Sequence, residues 1–127
     1  MNLGKVVFGF FVLLALTLNF GFFLGDIDNP DHHNVYELFA ALVVGLIATV
    51  LKFGERSHMG AVLLASSLVV DLQLIAAALV WAVAVHVTDV GLTPMVMASI
   101  VSLSGGALLA NLLSVVLLTL ETAGLSR

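Results

Sequence analysis

The chain has 127 residues, 61% hydrophobic and 9% charged, with a mean hydropathy of +1.22; a water-soluble domain of this size needs many more surface charges, so lipid is the expected solvent. Four basic against eight acidic residues give a formal net charge of −4, which argues against nucleic-acid binding and against a polybasic lipid patch. The absence of cysteine excludes disulfides and thiolate metal sites.

The first predicted span is residues 3–24, rich in phenylalanine and carrying one amide, Asn19. Lys5 ahead of an apolar run resembles a signal peptide. A cleavage site wants small residues at two fixed positions, however, and Gly21-Phe22-Phe23-Leu24-Gly25 sets a large aromatic at one of them. The expectation is a retained span. The most polar segment follows, Gly25-Asp26-Ile27-Asp28-Asn29-Pro30-Asp31-His32-His33-Asn34. It can start a helix in two ways. Asn29 can cap with Pro30 in the first turn, or Asn34 can cap with Glu37 three residues on. The second span is expected over 30–53.

A short turn of mixed charge leads to the third span, 59–87, which is long enough to cross a bilayer with tilt. Near its centre it carries Asp71 and Gln73. An acid at that depth costs at least ~2.5 kcal/mol on insertion scales, so a compensating partner is required. After Thr88-Asp89-Val90-Gly91-Leu92, Thr93 caps the fourth span, 94–120, with Pro94 in its first position. One domain is expected: an all-α, antiparallel bundle of four transmembrane helices.

Lys5, Lys52, Arg56 and Arg127 all fall on one side of such a bundle, which predicts that both termini and the middle loop are cytoplasmic. Small residues spaced by three and four predict close helix contacts. The fourth span has Ala98, Ser102, Gly106, Ala110 and Ser114; the second has Glu37, Ala41, Gly45 and Thr49; the third has Ser67, Asp71, Ala78, Ala82 and His86. Counting residues inward places Asp71 and Asn111 at similar depth, so an Asp71–Asn111 hydrogen bond is the first expectation, with Ser67, Ser104 and Ser114 nearby. Gln73 lies about 200° round the helix from Asp71. That predicts a homo-oligomer with one of the two residues facing another subunit; the alternative is a bond from Gln73 to a neighbouring helix of its own chain.

Asp26, Asp28, Asp31 and Glu37 fall within twelve residues that contain no Lys or Arg. In an oligomer they would gather cations at a pore mouth; otherwise they form a solvated loop. His32 and His33, with His86 and Asp89 on the same surface, are candidate metal ligands, a pH-sensing group, or helix-start residues with neither role. Asp71, with Asn111, Gln73 and Ser67, is the candidate ion pathway, since intramembrane acids mark ion and proton routes; the alternative is a neutral acid held by a structural hydrogen bond. No nucleophile elbow, phosphate-binding glycine loop, HExxH or potassium-filter TVGYG is present, so neither an enzyme nor a cofactor is expected.

The block GDIDNPDHHNVYELFAALVVGLIATVLKFGERSHMGAVLLA, from Gly25 to Ala65, with VVDLQLIAAALVWAVAVHV after it, resembles a family of small bacterial inner-membrane proteins known as a domain of unknown function. The resemblance implies a bacterial inner membrane and four spans; it implies no activity and no site residues. The expected function is cation permeation by a homo-oligomer, as channel or simple transporter, with inorganic cations and lipid as its partners. The alternative is a non-transporting accessory subunit that binds another membrane protein.

Overall fold

Asparagine, threonine and proline divide the apolar sequence into helices. The structure is a computed structural model that describes residues 3–53 and 58–124. Helix α1 spans Leu3–Phe23. Both expected caps then act, on different elements. Asn29 Oδ1 accepts the Asp31 N–H and opens a 3₁₀ turn, Pro30–His32. Asn34 Oδ1 accepts the Tyr36 N–H and opens α2, Val35–Lys52, so the long helix starts at the second cap and not at residue 30.

Helix α3 spans His58–Ala82 and continues as a π-helical turn, Val83–Val87. The wider turn closes through Thr88 N–H to the Val83 carbonyl at 2.8 Å, and Gly91 N–H reaches the Ala84 carbonyl at 2.8 Å. Thr93 Oγ1 accepts the Val96 N–H and caps α4, Pro94–Thr122, with Pro94 in the first turn, where its missing N–H costs nothing. Among the described residues there is no strand. The turn residues Gly54 to Ser57, with Arg56, and the terminal Arg127 lie outside the described residues.

The four helices form a ring: α1 packs on α2 and α4, and α3 packs on α2 and α4. The fold is an antiparallel bundle in which every helix is long and apolar enough to cross a membrane. At ~1.5 Å per residue, the 18 residues of α2 reach about 27 Å, close to a hydrocarbon core of about 30 Å, and the 29 of α4 exceed it. Large apolar side chains cover the outside, among them Phe10, Leu72, Leu79 and Leu109. Four exposed hydroxyls on this surface bond to their own helix: Thr17 to the Leu14 carbonyl, Ser99 to Met95, Thr119 to Val115 and Thr122 to Leu118. Lipid offers no partners, so this internal satisfaction is what a membrane requires.

The interior is layered. At the end that holds the start of α1, Phe8, Val12, Ala48 and Leu63 form one apolar cluster. Toward the α1–α2 loop, Phe22, Leu38, Leu74, Met97, Ile100 and Val101 belong to a second. Buried polar side chains lie between them.

Candidate functional site

Asp71 is 5% exposed and faces the bundle interior. Its partner is Thr49 on α2, whose hydroxyl lies 2.5 Å from Asp71 Oδ2 and 3.0 Å from the Gly45 carbonyl oxygen. A hydroxyl carries one proton and cannot donate it fully to both. With the acid ionised, Thr49 donates to Asp71. With the acid protonated on Oδ2, Asp71 donates to Thr49 and Thr49 to Gly45. The same heavy-atom geometry serves both proton arrangements.

The expected Asp71–Asn111 hydrogen bond is not made. Both side chains instead line one cavity of about 10 Å³, with Ser67, Ser114, Gly45 and apolar neighbours from α1. Asp71 Oδ1 and Asn111 Nδ2 have no partner there. Counting depth along the helices brought the right residues together; Thr49, on the α2 small-residue stripe, supplied the bond in place of Asn111. Gly45 leaves room for this contact, because a Cβ at that position would lie 3.1 Å from Asp71 Oδ1.

Further polar pairs continue the site along the interior face of α4. Ser114 Oγ lies 2.7 Å from Ser66 Oγ. Ser104 donates to Asn19 Oδ1 at 2.5 Å, and Asn19 Nδ2 donates to the Ser104 carbonyl at 3.3 Å. Beyond Ser114, Glu121 lies 3.8 Å from Lys52 Nζ, which also sits 4.8 Å over the Phe8 ring. Ser104, Asn111, Ser114 and Glu121 thus mark a polar stripe about 26 Å long at ~1.5 Å per residue. The pairs Asn19–Ser104, Ser66–Ser114 and Lys52–Glu121 were not singled out as such from the sequence. The spacing of the four α4 residues, all within about 100° of arc, was the available signal.

Gln73 turns to α4 of its own chain, where its amide lies against Gly106, with Oε1 unpartnered. Its position therefore needs no second subunit. Gly105 gives similar room to the Phe23 ring. Of the α4 small stripe, Ser114 is buried, Gly106 and Ala110 are half-buried, and Ser102 points outward. On α2, Ala41, Gly45 and Thr49 are all buried.

The acidic residues do not converge. Asp26, Asp28 and Asp31 are exposed, whereas Glu37 is half-buried against Gly21 of α1. His33 is 5% exposed, with Nδ1 2.6 Å from the Phe22 carbonyl and Nε2 2.7 Å from the Asp26 carbonyl. It pins the loop to the end of α1. His32 Nδ1 accepts the Asp26 N–H at 2.8 Å. His86 lies against the Trp81 ring, and Asp89 sits in an exposed turn with φ of 57°. Among the described residues, no group of three or more His, Asp or Glu side chains is placed to hold a metal ion. His32, His33, His86 and Asp89 are thus corrected from candidate ligands to loop and surface residues. Two of them are occupied by backbone partners.

A family model, described as "Family of unknown function (DUF6394)", matches residues 32–122. The chain belongs to this family. The match takes in α2, α3 and α4, and with them Thr49, Asp71 and Asn111; Asn19 on α1 lies ahead of it. No curated protein and no solved structure matches the chain.

Proposed function

We propose that this protein passes protons through the interior of a single four-helix unit, which narrows cation permeation to its smallest cation. The observation that carries the reading is the Asp71 site. A buried acid, held in a geometry that serves both of its proton arrangements, lines a cavity of about 10 Å³. That volume admits one water and excludes a hydrated metal cation. Intramembrane acids facing a bundle interior are a recurrent part of proton relays. The Ser66–Ser114 hydroxyl pair and Lys52–Glu121 extend the polar column toward one end.

We place the protein in a bacterial inner membrane, as the resemblance to small bacterial inner-membrane proteins implies, and its Lys5 and Lys52 end in the cytoplasm, following the distribution of basic residues. Association into a homo-oligomer is compatible with this reading and is not needed to build the route.

One observation favours the other reading, an accessory subunit that transports nothing. Between the Asn19–Ser104 pair and the α1–α2 loop the interior is apolar, with Phe22, Leu38, Leu74, Met97 and Ile100 all fully buried. A conducting protein must open this plug; an accessory subunit has no need to. Purified protein in liposomes decides between them. Under an imposed potential, an internal pH dye should report proton uptake in the wild type, and Asp71→Asn should reduce it to the level of empty liposomes while the fold is kept. K⁺, Na⁺ and Ca²⁺ fluxes should be absent. Wild-type liposomes that take up no protons across acid and neutral pH would sink the proton reading and favour the accessory one.

A further inference from the structure

We propose that the cavity between Asp71 and Asn111 holds one ordered water, which accepts a hydrogen bond from Asn111 Nδ2 and donates one to Asp71 Oδ1. The inference bears on the site of the proton reading and stands whether or not protons move through it. Three observations converge. First, the two unpartnered atoms are complementary, one a donor and one an acceptor, on side chains 4% and 5% exposed. Second, both side chains line the same cavity, whose volume of about 10 Å³ is that of one water position. Third, Gly45 keeps this side of the acid open: its missing Cβ would stand 3.1 Å from Asp71 Oδ1.

The chemistry of the lining selects water over the alternatives. Apolar cavities stay dry, whereas a cavity edged by unsatisfied polar groups is filled when two to four partners are in reach. Ser114, also in the lining, offers a further acceptor for the second water proton and is itself linked to Ser66. A metal cation would need several oxygen ligands, whereas the unpartnered Asn111 atom is Nδ2, a donor that cannot be one. The water would join the Thr49–Asp71 pair to the polar face of α4, which no direct bond does.

The test is a crystal structure of the full chain, grown from a lipid phase, at a resolution that shows bound water. Infrared spectra of the same protein in H₂¹⁶O and H₂¹⁸O accompany it. The expected result is a single density peak within hydrogen-bond distance of Asp71 Oδ1 and Asn111 Nδ2, and an isotope-sensitive O–H band. Gly45→Ala, which sets a methyl group into the space, should abolish the band; Asn111→Leu should do the same if the first variant does not fold. A wild-type protein with no peak and no isotope-sensitive band would overturn the proposal. So would a peak whose occupancy follows the Na⁺ or K⁺ concentration. A water peak in a protein that passes no protons upholds the water and removes the proton reading. Proton flux through a protein with an empty cavity does the reverse.

Discussion

Replacing Thr49 by valine isolates the bond on which the buried acid depends. Thr49 is 3% exposed, and its hydroxyl is the protein partner of Asp71 Oδ2 at 2.5 Å. Valine keeps the branched shape and deletes the hydroxyl, so packing is nearly retained while the acid loses its direct contact. Asp71 Oδ1 already lacks a protein partner, so the substitution leaves both carboxyl oxygens without one. Stranding a buried acceptor costs about 1–3 kcal/mol, and Thr49→Val should destabilise the protein by that amount. The cost should depend on the acid. With Asp71→Ala already in place no acceptor is stranded, and Thr49→Val should cost less than about 0.5 kcal/mol, leaving a coupling of about 1–2 kcal/mol. Equilibrium unfolding in mixed micelles, titrated with sodium dodecyl sulfate and followed by helicity, gives all four corners of the cycle. Equal costs of Thr49→Val in the two backgrounds would refute the view that this hydroxyl compensates for the acid.

Other perturbations test the ends of the bundle. Lys52→Met should cost about 3 kcal/mol, because it leaves Glu121 half-buried without its cation. Adding Glu121→Gln should recover most of that loss in the same unfolding assay. Gly25→Ala should lower thermal stability by more than about 1 kcal/mol. The position has φ of 100°, and a methyl group there would meet His32 Cβ at 2.6 Å and its ring Nδ1 at 2.9 Å. His33→Leu removes the ring nitrogens that face the Phe22 and Asp26 carbonyls, and with them the N–H donor that holds the loop. The expected loss is about 1–3 kcal/mol, and amide exchange should quicken in residues 24–34 while α3 and α4 stay protected.

The four spans, their antiparallel arrangement and the caps at Asn29, Asn34 and Thr93 were legible in the sequence, because each rests on local chemistry. Span length follows from the apolar run, and a cap follows from one side chain and the next backbone N–H. The meeting of Asp71 with Asn111 in one cavity was also legible, since depth is a count of residues times a fixed rise. Which neighbour holds the acid was not. Thr49 and Asn111 both lie at the right height, and the choice depends on how α2 and α4 are turned about their axes, which spacing on α3 does not report. The histidines failed as metal ligands for a related reason. Their spacing brings them near one another, but the backbone of a tight loop carries unpaired carbonyls that a ring nitrogen satisfies first, as His33 does.

The stripe on α4 and the position of Gln73 share a geometrical lesson. A strict spacing of four advances about 40° round a helix at each step, so five such positions sweep about 160° and leave the core face. Ser102 is exposed while Ser114 is buried for this reason. The face that stays buried alternates threes and fours, as Ile100, Ser104, Ala107, Asn111 and Ser114 do. Gln73 and Asp71 point in nearly opposite directions, which suggested a second subunit. Opposite directions on a helix call for a second subunit only where the helix has one neighbour. In a ring of four, α3 has two, and its buried arc takes in both: Asp71 turns to Thr49 on α2 and Gln73 to Gly106 on α4. Both polar residues are housed by one chain, so neither of them calls for a second subunit.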